Sequence, residues 1–273
     1  MNMITRSLIA LILVVIIPAS LMAHAPVSDK VRNVRKSFAF IRINIEIKPV
    51  SCTFVEGPNP ESLAPKECDT KSLEPKIMRS MGSGTVVSHV VDSTYILTAA
   101  HVCSHPKKDK QTIGHKEIIV KLTPTALVRD VQGNEYMARI FALDTRNDLC
   151  ILKATGIFGE PADVADRMPP LPSEIYSYGA PLGINHPGTV LFYSGFTAGS
   201  HYDNTLERTT YFYTLVIRGG SSGSSVLNNE GKIIGVVHTA VVGLQQLAIS
   251  ASLESVKNIL SSIPKTKYER IGP

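Results

Sequence analysis

The sequence has no long run of basic residues, and its net charge of +5 is spread along the chain. This disfavours a nucleic-acid partner, because binding to phosphates needs clustered Lys and Arg side chains. Charged residues make up only 19% of the chain and hydrophobic residues 44%, which excludes wholesale disorder. Glycine and proline are not enriched and no repeat is found, so the chain is neither collagen-like nor of low complexity. The 273 residues therefore predict one large or two small folded domains.

The N-terminus is typical of an export signal. Arg6 precedes an apolar run over residues 8–17, and the small residues Ala23 and Ala25 fit a signal-peptidase site. Pro26 would follow the cut directly, which disfavours cleavage. We therefore predict that residues 1–25 form a signal peptide or an uncleaved N-terminal anchor.

The anchor alternative would hold the chain to a membrane through residues 8–23. That stretch is shorter than the roughly 20 residues of a spanning helix. In either case the rest of the chain is predicted to be exported, to the periplasm or as a secreted protein.

Only four cysteines occur, and an oxidising compartment lets them pair. Cys52 and Cys68 flank a proline-rich segment, residues 49–75, that is predicted to be a loop. A bridge between them would remove loop entropy worth about 3 kcal/mol. Four free buried thiols are the alternative.

The hydrophobic pattern predicts an all-β fold. Short apolar segments with turn signals between them are typical of a sandwich or barrel. The predicted strands are residues 37–47, 85–87, 95–97, 118–122, 136–143, 150–152, 175–178, 189–196, 210–217, 225–227, 233–237 and 247–249.

The division into two domains follows from the proline-rich link at Pro169 and Pro170. About six strands lie on each side of it, which predicts two six-stranded antiparallel β-barrels, over residues 26–168 and 169–273. Apolar residues then recur at helical spacing behind a predicted N-cap at Ser252, which indicates a C-terminal α-helix ending near Ile263.

Three segments carry residues suited to catalysis. His101 follows a predicted strand, Asp148 precedes another, and Ser222 lies in a glycine-rich turn. Singly, each is more often structural. Together they can act, because a serine hydroxyl needs an adjacent base, a histidine can take and return its proton, and a carboxylate can orient that histidine.

At these residues the chain resembles the trypsin-like serine peptidases. The order His101, Asp148, Ser222 is that family's order along the chain. Further segments are similar to the bacterial high-temperature-requirement proteases or to the wider family, over residues 82–87, 133–153, 179–183 and 231–235. The resemblance extends over about residues 37–263, and it implies a chymotrypsin-like fold of two barrels.

The resemblance also implies roles for single residues. His101 would be the general base and acid, Asp148 would orient it, and Ser222 would be the nucleophile. The backbone N–H groups of Gly220 and Ser222 would form the oxyanion hole. No cofactor and no metal are implied.

Two departures from the digestive branch of the family concern activation. Ser221 stands where that branch has an aspartate that pairs with a newly cut N-terminus, and no Ile-Val-Gly-Gly segment precedes Gly82. We therefore expect residues 26–273 to be active without cleavage near Arg79. We also expect no peptide-binding domain of the high-temperature-requirement kind after the terminal helix, because few residues follow it.

Cys103 lies two residues after His101 and Cys150 two after Asp148. If His101 and Asp148 touch, the two sulfurs come close enough for a disulfide. Two buried thiols are one alternative. A zinc site of His101, Cys103 and His105 is another, although no fourth ligand is spaced to close it.

By the family's spacing, Val216 and Ile217 should line the primary pocket, with His238, Thr239 and Ala240 opposite. No carboxylate is expected at the pocket base, which disfavours cleavage after Arg or Lys. A small or medium apolar residue is favoured before the cut.

Glutamate is the second choice for that position, because His238 resembles the pocket histidine of glutamyl endopeptidases. The extra residue Val237 weakens this comparison, since a one-residue slip turns a strand's side chains to the other face.

The favoured function is an exported serine endopeptidase that acts on protein or peptide substrates through an acyl-enzyme. The alternatives are a catalytically inactive binding module on the same fold, and an esterase. The sequence leaves the natural substrate and the oligomeric state open.

Overall fold

The computed structural model describes residues 26–54, 68, 70, 73–113, 115–205, 207–241 and 243–264. The predicted export segment, residues 1–25, lies outside this part of the chain, as does most of the loop between Cys52 and Cys68. Among the helices described, none is long and apolar enough to cross a membrane.

Strands dominate the described residues. Their bounds are β1 Phe38–Phe54, β2 Lys76–Val90, β3 Ser93–Thr98, β4 Lys108–Ile113, β5 Lys116–Arg129, β6 Glu135–Asp144, β7 Leu149–Thr155, β8 Glu174–Gly179, β9 Leu191–Asp203, β10 Arg208–Tyr213, β11 Ser225–Leu227, β12 Ile233–Val241 and β13 Leu244–Ser250. The α-helices are α1 Asp29–Asn33, α2 Ala100–Cys103 and α3 Leu253–Leu260.

The first barrel is a ring of six antiparallel strands in the order β1-β2-β3-β7-β6-β5, closed by pairing between β1 and β5. Strand β4 adds a seventh strand at the edge, on β5. The sequence did not predict β4, because its residues are mostly polar and charged and do not alternate. Such a composition suits an edge strand that has one side unpaired.

Strand β1 is longer than predicted. It continues through Pro49 to Phe54, where we expected a loop. The pairing of β1 with β5 shifts register between Pro49 and Ser51, and a bulge of this kind accommodates a proline that cannot donate to the ladder.

The second barrel is closed in the order β10-β13-β12-β11-β8-β9. Helix α3 follows it, with the Ser252 side chain accepting a hydrogen bond from the backbone N–H of Ser255, so the predicted N-cap is correct. The helix ends at Leu260, slightly before the predicted end. Two six-stranded barrels and a terminal helix are thus confirmed.

Three apolar clusters hold this arrangement. One fills the first barrel around Ile41, Ile96 and Leu152, and another fills the second barrel around Ile175 and Val226. A third cluster contains residues of both barrels, among them Leu97, Leu149, Tyr178, Val236 and Val256. Because Leu149 follows Asp148 directly, packing between the barrels fixes the position of that aspartate.

Candidate active site

His101 and Asp148 meet at one end of the first barrel. Strand β3 ends at Thr98, and the short helix α2 begins at Ala100, so His101 lies on its first turn. Asp148 ends the turn before β7 with a left-handed φ of 52°. Its Oδ1 accepts the His101 backbone N–H at 2.8 Å, and its Oδ2 lies 2.8 Å from His101 Nδ1. These two contacts fix both the position and the ring orientation of His101.

The environment of Asp148 keeps the carboxyl ionised. Burial alone would raise its pKa, but hydrogen bonds from the ring and backbone of His101, together with the nearby ring of His238, outweigh this. The pKa of Asp148 is therefore held well below its usual range, so the group is a carboxylate throughout the pH range in which imidazoles titrate.

Two cysteine pairs lie at disulfide distance, as expected. The Cα atoms of Cys103 and Cys150 are 6.6 Å apart, and those of Cys52 and Cys68 are 5.2 Å apart. The Cys103–Cys150 pair links α2, which carries His101, to β7, which follows Asp148. In the described part of the chain, no group of three or more His, Cys, Asp and Glu side chains could hold a metal ion.

The loop around Ser222 is anchored through its carbonyl groups. The Gly219 oxygen accepts from Leu182 N at 2.6 Å, and the Ser222 oxygen accepts from Ser83 N at 2.8 Å. The Gly220 oxygen accepts from the Ser83 hydroxyl at 2.8 Å. Gly220 has a φ of +95°, and a Cβ there would collide with the Ala180 carbonyl oxygen.

This anchoring leaves two N–H groups unused. Within the described residues, the backbone N–H groups of Gly220 and Ser222 donate no hydrogen bond, whereas those of Ser221, Gly223 and Ser224 do. Two such donors two residues apart in one turn can stabilise a negatively charged oxygen.

The Ser222 hydroxyl points to a backbone acceptor. Its Oγ donates to the carbonyl oxygen of His238 on β12 at 3.0 Å, and it makes no hydrogen bond with the His101 ring. His101, Asp148, Ser222 and His238 nevertheless line the same cleft, whose volume is about 840 Å³.

Comparison with known proteins agrees with this architecture. Residues 82–236 match the family described as "Trypsin-like peptidase domain". The chain belongs to the trypsin-like peptidase family. Membership indicates a serine endopeptidase.

The curated relatives of the chain include serine proteases. The chain is 26% identical over 204 residues to "Serine protease HtrA-like" of Staphylococcus aureus strain USA300. The matched region covers 70% of this chain and 23% of that protein. This trypsin-like peptidase thus spans less than a quarter of the length of the curated relatives it matches.

Two solved structures share the fold. The active form of a protease from M. tuberculosis has a TM-score of 0.58 at 16% identity and covers 88% of this chain and 86% of its own. An HtrA-type protease with a decapeptide has a TM-score of 0.60 at 16% identity, and the match covers 86% of this chain and 65% of that one.

The pocket residues of this trypsin-like peptidase lie partly where we expected them. Ile217, His238, Thr239 and Ala240 line the cleft, but Val216 does not. Strand β10 ends at Tyr213, and in the segment after it the side chains of Leu215 and Ile217 are buried, whereas Val216 is 45% exposed.

Sequence reasoning missed several residues of the site. Arg208 and Arg218 line the cleft and give it positive charge. Arg218 directly precedes Gly219 of the glycine-rich turn, so its place near the site could have been predicted from the sequence. Arg208 is distant from that turn in sequence, and only the folding of β10 brings it to the cleft. Ser83 was noticed only as part of a motif, yet its hydroxyl holds the Gly220 carbonyl and accepts from Ala180 N at 3.0 Å.

Replacing Ser83 by alanine should therefore impair the loop. The Ser83→Ala change leaves the Gly220 carbonyl and the Ala180 N–H buried without that partner, which costs about 1–3 kcal/mol of stability. We expect kcat to fall about tenfold, because a loosened Gly220 N–H stabilises charge less well. Ser88→Ala on the same strand is the matched control. Equal kcat values for the two variants would contradict the prediction.

Proposed function

We propose that this chain is an exported serine endopeptidase that cleaves peptide bonds through Ser222, His101 and Asp148 and an acyl-enzyme intermediate. The observation that carries the proposal is the two-point contact between His101 and Asp148 in the cleft that holds Ser222. Such a contact leaves Nδ1 of His101 protonated and its Nε2 free to act as a base.

The proposed reaction begins when the Ser222 hydroxyl turns from the His238 carbonyl toward His101 Nε2. The Ser222 oxygen attacks the substrate carbonyl carbon while its proton passes to His101. The N–H groups of Gly220 and Ser222 stabilise the resulting oxyanion.

Collapse of this intermediate releases the amine, which takes the proton from His101, and leaves Ser222 acylated. A water molecule, deprotonated by His101, then hydrolyses the ester and restores the serine.

Export is proposed on two grounds. The first is the signal-like segment of residues 1–25, and the second is that the two cysteine pairs suit an oxidising compartment. We likewise propose that residues 26–168 contribute His101 and Asp148 and that residues 169–273 contribute Ser222, so that the cleft lies between two domains.

The proposal is tested with a fluorophosphonate probe, which acylates activated serines. We expect one probe per chain, attached to the peptide that contains Ser222, and no attachment in Ser222→Ala. Ser224→Ala is the matched control, because the Ser224 hydroxyl lies in the same loop, buried and without a hydrogen-bond partner in the described structure. Wild-type protein that stays unlabelled would favour the inactive binding module.

The cleft also predicts a cleavage preference. The pocket presents the apolar Ile217 and Ile249, and Arg208 and Arg218 lie in the same cleft. We expect a small or medium apolar residue before the cut, with glutamate second and Arg or Lys disfavoured by charge repulsion. Mass spectrometry of peptides released from denatured proteins measures this preference, and a profile dominated by Arg would refute it.

A further inference from the structure

His238 departs from the regular pairing of β12. Val237 pairs with Ser250 and Thr239 with Ile249, so His238 is an extra residue opposite β13. A bulge of this kind re-aims a side chain. The His238 ring is consequently turned into the protein, where the residue is only 8% exposed.

The ring meets the carboxylate that orients His101. His238 Nδ1 lies 3.2 Å from Asp148 Oδ2, the same oxygen that His101 Nδ1 approaches at 2.8 Å. The contact has the distance of an ion pair but not the geometry of a hydrogen bond, and Nδ1 has no hydrogen-bond partner in the described structure. Two histidine rings therefore share one carboxylate oxygen.

The chemistry of this contact fixes its direction. A ring nitrogen that faces a carboxylate this closely must carry hydrogen, whether the ring is neutral or protonated. His238 thus presents an N–H group to Asp148 at 3.2 Å. The Asp148 side chain is only 23% exposed, and a carboxylate largely withdrawn from water needs polar neighbours that carry hydrogen.

We propose that His238 is a positioning residue, whose ring holds the Asp148 carboxylate in place for His101. This inference rests on the proposed function. It differs from the pocket role that the sequence indicated for His238, because the ring is directed at Asp148 rather than at a substrate side chain.

Two substitutions of His238 test the role of the ring. His238→Leu keeps much of the volume and removes the donor, so kcat should fall about tenfold to hundredfold while KM changes little. His238→Asn places an amide N–H near the former Nδ1 and should lose no more than about threefold. If the leucine variant does not fold, His238→Ala takes its place. His201→Asn, at an exposed position on β9, is the matched control.

The pH profile separates positioning from packing. Without the His238 donor, the Asp148 charge acts more fully on His101 and favours the imidazolium. The acid limb of kcat/KM should therefore move to higher pH in His238→Leu and stay near the wild-type position in His238→Asn. The charged groups lining the cleft with His238 are His101, Asp148, Arg208 and Arg218, and all of these remain in both variants.

A double-mutant cycle tests whether His238 acts through Asp148. If His238 acts through Asp148, His238→Leu should cost less than about threefold in an Asp148→Asn background. Additive losses, or equal losses in His238→Leu and His238→Asn, would overturn the positioning role and leave the proposed function intact. An Asp148→Asn variant with wild-type kcat would instead overturn the proposed function, and the role of His238 with it.

Discussion

Replacing Asp148 by asparagine is expected to lower kcat about 10⁴-fold. The carboxylate accepts from both the backbone N–H and the ring of His101. An amide at this position turns a donor toward Nδ1 and stabilises the other tautomer, in which Nε2 already carries hydrogen and cannot accept the Ser222 proton. Steady-state hydrolysis of a peptide substrate measures the loss.

The control for this variant is Asp163→Asn, at an exposed aspartate outside the cleft lining. It should retain wild-type kcat. Thermal melting checks that Asp148→Asn remains folded, and a folded Asp148→Asn variant with more than a tenth of wild-type kcat would contradict the assigned role.

Removing the Cys103–Cys150 pair is expected to lower the free energy of unfolding by about 4 kcal/mol. The two residues are 47 positions apart, so the bridge restricts a long loop in the unfolded chain. The double change Cys103→Ala and Cys150→Ala also removes the covalent link between α2 and β7. We therefore expect urea to abolish activity at a lower concentration than in the oxidised wild-type protein.

The matched comparison is the double change Cys52→Ala and Cys68→Ala, which opens a loop of only 16 positions. Its expected cost is about 3 kcal/mol. Adding a reductant should destabilise each double variant less than the wild-type protein. A Cys103 and Cys150 variant with wild-type stability would show that the bridge does not restrain the chain.

The sequence predicted the barrels well because its apolar segments are short and regularly spaced. The pairing of Thr85 with Leu97, for example, joins two strands that were both evident from their apolar residues. Strand β4 was missed because an edge strand with polar residues has no buried face to mark it.

The His101–Asp148 contact was expected from the order of the residues along the chain and from the family resemblance. The short distance between Cys103 and Cys150 was expected as its consequence. The orientation of His238 was not predictable, since it depends on a bulge that appears only when β12 pairs with β13. Val216 does not line the cleft, because the strand that we expected to run to residue 217 ends at Tyr213 and the segment after it turns the Val216 side chain toward solvent.

The hydrogen bond from Ser222 Oγ to the His238 carbonyl has a consequence for inhibitor design. Breaking it costs about 0.5–1.5 kcal/mol, and an inhibitor with an extended backbone can offset that cost by donating its own amide to the vacated oxygen. Small acylating reagents lack such an amide. Peptidyl warheads should therefore gain reactivity over small ones beyond what side-chain contacts alone provide.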